Sequence, residues 1–482
     1  MYDDIRDFPT CLNGILRKHR WSLQYLASSL GYASKTSIVR ILRGESSYGH
    51  QHTFFKKLQR SGMLSAEDAA LLAESLEVSR VGVEATAARR IIRDLLHARP
   101  AAPPDSLLKA FFSELDAADS ARLIAINCTF PSLFSGLRAI FAAHGNFTFE
   151  HFFLLDSSEM AAAAALNCVS QMSYLPNYRA YSLEQGCRRR LAFGASLLCA
   201  RVTGPDGAES DCLVQFSDAR TPHILKAPSA DGLFSFFMEI LAAEKGRCAA
   251  ITASCHIDSG PATFIDVFKY WHDCELNRNL YAIKPDLCAN LIPTEHMRAS
   301  LLDGGVMTAF PGYSESDIAH LLEVFLQCQE ARFQNMFASR RAKHLLLSQS
   351  ALARFCRTGL MTEHFEFMRP FSVGERIAIL EHLLDQHRHN GYFTLYFWKN
   401  PDAAPIIEVD CMEGLGITAF PAVKESTIQK GYCSSIIQHP QLIAAFRDYF
   451  MDDLRLNHVL SDAGAAQFLE GLIQELKRAD AS

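Results

Sequence analysis

The chain has 482 residues, 49% of them hydrophobic and 21% charged, with a net charge of −6. That length exceeds what one hydrophobic core supports and, at roughly 150 residues per domain, predicts about three units. Its opening residues, Met1 to Asp7, are acidic where an export signal is basic, and its most apolar run, Met160 to Val169, is short, alanine-rich and interrupted by Asn167. The expectation is a cytoplasmic protein with no membrane partner. Fourteen cysteines are scattered without a Cys-x-x-Cys pair, which excludes a small secreted disulfide framework and suits buried, reduced thiols.

Charge is unevenly placed along the chain. Residues 1–60 carry ten cations against four acids, a local charge of +6, so a basic head precedes an acidic body and a polyanion is the expected partner of the head alone. In the head, Asp7 is placed to cap a helix with Pro9 in its first turn, and Phe8, Cys11, Leu12, Ile15 and Leu16 repeat at helical spacing. Ser22 caps a second helix with Leu23, Leu26, Ala27 and Leu30 inward, and Gly31 stops it. Ser34 caps a third, with Ile38, Ile41 and Leu42 inward and Gly44 at its end. Further helices are expected from about Phe54 to Arg60, from Ser65 with Asp68 completing a capping box, and from Val83 to His97. Residues Ala98 to Asp105, rich in proline, read as a linker.

The segment from Trp21 to Gly44 resembles the Cro and phage-repressor (XRE-like) helix-turn-helix, a likeness covering residues 8 to about 62. Two departures stand out: the turn is one residue longer than the shortest form, and Leu23 stands where that family often has glutamine. The resemblance implies an all-α head that lays Lys35, Thr36, Ser37 and Arg40 into the major groove of double-stranded DNA, Arg40 preferring guanine. Backbone phosphates would be held by the helix start at Ser22 and by Arg43, Lys56 and Lys57, with Ser34 opening the reading helix.

Beyond the linker, Phe152 to Leu155, Cys212 to Phe216, Tyr392 to Phe397 and Ile406 to Val409 are β-rich runs. Gly204-Pro205-Asp206-Gly207 and Asn400-Pro401-Asp402 look like hairpin turns, and Ser372 with Glu375 boxes a helix that ends at Asn390-Gly391. An α/β or α+β body follows the head. Thr308 to Ile318 and Thr418 to Ile428 share seven of eleven residues, each reading as a strand that passes through proline into a helix, and Asp231 to Phe237 echoes Pro440 to Phe446. The expected domains are a head at 1–62, a helical extension and linker at 63–105, and two related body halves at 106–247 and 248–482.

Candidate chemistry in the body is sparse. Cys255-His256-Ile257-Asp258 holds nucleophile, base and acid types, and His382, His387 and His389 with Asp385 offer metal-ligand types, but a structural role is expected for both groups, and neither a metal nor a cofactor is expected. The duplicated body is faintly similar to phospholipase-D-like sensor modules, without the His-x-Lys pattern of that superfamily. Together these features lead to the expectation of a DNA-binding transcriptional regulator that is not an enzyme and acts as a homodimer. Its body would sense an unknown small-molecule or peptide effector. The alternatives are an enzyme with a DNA-binding head and a protein-binding adaptor without a DNA role.

Overall fold

A computed structural model describes residues 5–97, 106–155, 158–173, 175, 177–183, 196–216, 222–228, 232, 234–235, 238–239, 248–257, 263–308, 313–361, 368–402, 405, 407–421 and 432–481. The Ala98 to Asp105 linker lies outside them. They fall into two compact units, residues 1–91 with 157–164 and residues 92–156 with 165–482.

The first unit is built from helices. Asp7 caps α1 (Phe8–His19) by accepting from the Thr10 amide at 2.9 Å, and the five apolar residues at helical spacing are its buried face. Ser22 caps α2 (Leu23–Ser29) by accepting from the Tyr25 amide, and Gly31 follows at a φ of +70°, a conformation only glycine adopts freely. In α3 (Thr36–Leu42) the expected cap is shifted: Lys35 occupies the cap with helical dihedrals, and Ser34 Oγ instead accepts from the Thr36 amide at 3.3 Å. α4 (Tyr48–Arg60) starts at Tyr48, well before Phe54. α5 (Ala66–Val81) begins at Ser65, whose hydroxyl accepts from the Asp68 amide, and α6 (Val83–His97) follows. Leu72 and Leu76 of α5 share one core with Phe8, Leu12, Leu26, Ile38, Ile41, Phe54 and Leu58.

The second unit mixes helices and strands, as an α/β body requires. After α7 (Ser106–Asp116), the first sheet runs in the order β6-β5-β4-β1-β2-β3-β7. Its members are β1 (Ser120–Ile126), β2 (Phe147–Phe153), β3 (Tyr178–Ser182), β4 (Ser196–Thr203), β5 (Glu209–Phe216), β6 (Pro222–Pro228) and β7 (Ala249–Ala250). α8 (Pro131–Ala143) and α9 (Glu159–Met172) connect its parallel strands β1, β2 and β3. The Gly204 turn joins antiparallel β4 and β5 as a hairpin, with the Gly204 amide donating to Ala208 O at 2.9 Å.

The second sheet runs in the order β11-β10-β9-β12-β13-β14-β8, from β8 (Thr252–Ile257), β9 (Leu280–Lys284), β10 (Lys343–Leu347), β11 (Phe393–Phe397), β12 (Ile407–Met412), β13 (Gly416–Pro421) and β14 (Tyr432–Ile437). Its helices are α10 (Thr263–Glu275), α11 (Thr294–Asp303), α12 (Glu315–Phe337), α13 (Gln349–Thr358), α14 (Val373–His389), α15 (Pro440–Asp448) and α16 (Asp462–Asp480), with a π-helix at Tyr449–His458. Ser372 and Glu375 form the expected capping box of α14. Asn400 makes a turn, its Oδ1 accepting from the Asp402 amide, but not a hairpin: it links β11 at the sheet edge to β12, three positions away.

Six strands of each sheet repeat one topology, three parallel strands followed by three antiparallel ones. The register repeats as well. Leu123 lies opposite both Phe149 and Ala200, and Phe149 opposite Tyr178; Leu280 lies opposite Lys343 and Met412, and Lys343 opposite Phe393. The sequence echo between Thr308 and Thr418 does not follow this symmetry. Thr308 ends a 3₁₀ turn in the β9-to-β10 crossover and Thr418 lies in β13, so only the second copy begins as a strand; residues 309–312 and 422–431 lie outside the described residues. The other echo does fall at matching places, Phe234 after β6 and Pro440 after β14. Ile251 joins the sheets: its amide donates to Ala180 O beside β7, and its carbonyl accepts from the Gln438 amide beside β8.

Candidate functional site

β12 is apolar at Ile407, Val409, Cys411 and Met412, yet it carries Glu408 and Asp410 two residues apart and therefore on one face. β9 ends on Lys284 in the neighbouring position. Lys284 Nζ donates to Glu408 Oε1 at 2.5 Å and to Asp410 Oδ2 at 2.7 Å, and the three residues are only 4%, 6% and 2% exposed. Ionised together they leave one net negative charge inside the protein. The second carboxylate oxygen, Asp410 Oδ1, is buried with no hydrogen-bond donor.

More charge is buried around them. Glu275 at the end of α10 receives two hydrogen bonds from Arg332 of α12, at 2.9 and 3.2 Å, and a third from Asn290 at 3.3 Å. Lys343 Nζ donates to Arg278 O at 2.8 Å. Burial alone raises the Glu275 carboxyl, but Arg332 outweighs it and holds the group below its ordinary range, with Lys284 and Lys343 adding to the effect. Burial lowers the Lys343 ammonium to about 8, against the pull of Glu275. For Lys284, burial works against the ammonium, and the two carboxylates reverse that and keep it firmly protonated. Asp410 comes out raised to about 6: burial is the largest cause, Lys284 opposes it and Glu408 reinforces it. A carboxyl that changes charge near neutral pH, with one oxygen held and one unpartnered, is equipped to accept and return a proton.

The first sheet lacks this arrangement. Counting along the shared register, Asn127, Ser196 and Leu198 stand where Lys284, Glu408 and Asp410 do, and Ser196 Oγ donates to Asn127 O at 2.6 Å. The first half buries His151 beside an aromatic wall, stacked on Phe134 and Phe149 and bonded to Tyr178 Oη at 3.2 Å, and buries Asp211 of β5 against Arg201 of β4 at 2.8 Å. Burial lowers that imidazole to about 3, so it stays neutral. The two halves share a frame, and the Lys284–Glu408–Asp410 arrangement belongs to the second.

Sequence reading passed over the three site residues. Glu408 fell inside a run noted only as a strand, and the signal available was two acids at alternating positions in an otherwise apolar strand. Lys284 gives no such signal, because its partners lie more than a hundred residues away.

Of the residues singled out instead, Cys255 and His256 lie on β8 opposite Ser434 and Cys433; burial raises the Cys255 thiol, and Asp258 lies outside the described residues. His382 packs against Phe333 and Phe337, His387 bonds Asp462 O and the Leu395 amide, and His389 bonds Asp385 at 2.9 Å. The histidines thus have separate partners. Among the described residues no group of three or more His, Cys, Asp or Glu could hold a metal ion, and no helix is long and apolar enough to cross a membrane.

In the helical unit, Ser22, Ser34, Lys35, Thr36, Arg40, Arg43, Lys56 and Lys57 are exposed, whereas Ser37, expected to enter the groove, is half-buried. Lys57 Nζ sits 4.2 Å from the centre of the Tyr32 ring, a cation–π contact.

No protein-family model matches the chain, and no curated protein matches it. Solved structures do. One is a phosphatidylserine synthase from Haemophilus influenzae, at 10% identity and a TM-score of 0.25, covering 77% of this chain and 90% of that one. Another is a polyphosphate kinase from Porphyromonas gingivalis, at 10% identity and a TM-score of 0.23, covering 78% of this chain and 55% of that one. Both are named as enzymes, and the Cro and phage-repressor resemblance read from the sequence has no counterpart in these two structures. The expectation of a DNA-binding transcriptional regulator that is not an enzyme is corrected on this finding: these structures are enzymes and neither is a DNA-binding regulator. Likeness at such TM-scores says nothing of this chain's own reaction or substrate.

Proposed function

We propose that the second half of the body is an enzymatic proton-transfer site in which Asp410 is the acid–base group. Lys284 positions it by holding Oδ2, and Glu408 on the same strand face raises its proton affinity. The observation that carries this reading is the buried Asp410 Oδ1, left without a donor beside an oxygen held by Lys284. A purely structural ion pair would satisfy both oxygens, because an unmade hydrogen bond to a buried charged acceptor costs roughly 1–3 kcal/mol or more. The position also suits a site, at the carboxyl end of β9 where open α/β sheets receive ligands.

The test uses the full chain. Turnover of p-nitrophenyl acetate, p-nitrophenyl phosphate and bis(p-nitrophenyl) phosphate is followed from pH 4 to 9 in wild type and Asp410→Asn, with carbodiimide labelling of carboxyls mapped in parallel. Turnover of at least one probe is expected to inflect near pH 6 and fall at least tenfold in Asp410→Asn, and Asp410 is expected to label in the native protein while Glu275, held by Arg332, does not. Turnover that survives the substitution, or an Asp410 that labels only after denaturation, overturns the reading.

A further inference from the structure

We infer that Thr418 is a positioning residue of this site, its hydroxyl serving Asp410 Oδ1 in both charge states by donating to the ionised carboxyl and accepting from the protonated one. This rests on the reading of Asp410 as the acid–base group and adds what sets its ionisation.

Three observations carry it. First, the register puts Thr418 of β13 directly opposite Asp410 on one side and Ala282 of β9 directly opposite it on the other. Directly opposed residues send their side chains to one face, with Cβ atoms about 4.5–5.5 Å apart, and of these two neighbours only Thr418 carries a hydrogen-bond donor. The ammonium of Lys284 is already on the other oxygen, Oδ2. Second, the Thr418 side chain is buried, and the bond its hydroxyl makes, to Asp410 O, is long at 3.5 Å. Such bonds ordinarily measure about 2.5–3.0 Å, so turning the hydroxyl to the carboxyl oxygen gives up little. Third, the first half has the same frame without the chemistry. Ala125, Leu198 and Val214 stand where Ala282, Asp410 and Thr418 do, and all six are buried. Valine is threonine with a methyl group in place of the hydroxyl, so carboxyl and hydroxyl are present together in one half and absent together from the other.

A hydrogen bond to a carboxylate is roughly twice as strong as one between neutral groups, so the hydroxyl favours the ionised form and its loss raises the proton affinity of Asp410. The charged groups acting on this carboxyl from the packed elements are Lys284 of β9, Glu408 of its own strand and Glu275 of α10. Behind these, Cys288 acts on Lys284, and Arg332 and Lys343 act on Glu275. A Thr418 variant keeps every one of them, so a shift in Asp410 reports the hydroxyl.

Carbon-13 NMR of the side-chain carboxyls in the full chain, with the Asp410 signal identified by its loss in Asp410→Asn, tests this from pH 4 to 9 beside the turnover profile of the three p-nitrophenyl probes. In Thr418→Val the Asp410 titration is expected to move up by about one pH unit, the turnover inflection moving with it, and in Thr418→Ser, which keeps the hydroxyl, to stay at the wild-type position. Thr418→Ala is measured as a second variant without the hydroxyl, and near-ultraviolet circular dichroism checks the fold of each. A titration unmoved in the two hydroxyl-free variants, or moved as far in Thr418→Ser, overturns the inference. Turnover that inflects with Asp410 but identically in Thr418→Val leaves the acid–base reading standing and overturns the role of Thr418. A carboxyl titration that shifts as expected, with no turnover of any probe, upholds the hydrogen bond and overturns the acid–base reading.

Discussion

Lys284, the last residue of β9, and Asp410, in the middle of β12, meet at 2.7 Å in the interior of the second sheet, so a contact that spans 126 positions in sequence fixes the register of two antiparallel strands and the ionisation of a buried carboxyl together.

The first prediction concerns that carboxyl. Its proton affinity in the folded protein corresponds to about 6, above the ordinary 3.8, so folding favours the protonated form. The resulting stabilisation is fully present below about pH 4 and is lost as pH rises through 6, a swing on the order of 3 kcal/mol. Asp410→Asn has no proton to lose. Chemical denaturation of both proteins between pH 4 and 8 should show wild type losing stability relative to the variant as pH rises, and parallel curves would sink the assignment.

A second prediction follows from the Glu275–Arg332 pair, both residues less than 9% exposed. Arg332→Met leaves Glu275 charged without its paired cation and should cost about 3–5 kcal/mol, whereas Glu275→Leu with Arg332→Met should cost much less, because the buried carboxylate is gone too. Urea titrations of the single and double variants give the coupling; an additive double variant would contradict it.

In the helical unit, Asp68 is 2% exposed and ties α5 to α1 through Lys18 and His19, each at 2.8 Å. The hydrogen bond from Lys18 is the largest cause holding this carboxyl down at about 2, with His19 and Ser65 contributing against burial. A lowered value means stability that is present above about pH 4 and lost as pH falls toward 2. Asp68→Asn should therefore cost on the order of 2 kcal/mol at pH 7 and close to nothing at pH 2. Trp21, stacked on His19 at 4.7 Å, supplies the fluorescence to follow local unfolding.

Gly359 ends α13 at a φ of +69°, and a methyl group there would run into the backbone of Phe371. Gly359→Ala should destabilise the chain by more than about 1 kcal/mol, from the left-handed backbone and the collision together. Gly391, with open space around it and no positive φ, should tolerate alanine within about 0.5 kcal/mol. Thermal melts of the two variants check the contrast.

Local physics was legible in the sequence. Asp7, Ser22, Ser65 and Ser372 cap the helices assigned to them, since a cap depends on a side chain and an amide two or three residues away. The Gly204 turn and the α/β character of the body were legible for the same reason, being set by short-range turn chemistry and hydrophobic alternation. What only the tertiary structure decided is which distant residues meet. The internal echo at Thr308 and Thr418 pointed to unlike places in the fold, whereas the true repeat lies in strand order and register, properties shared by Leu123 and Leu280 with little sequence in common around them. The basic head drew attention because charge asymmetry is visible along a chain. The buried triad escaped it because Lys284, Glu408 and Asp410 are unremarkable singly and acquire their chemistry from burial and from each other, and only the packed protein determines both.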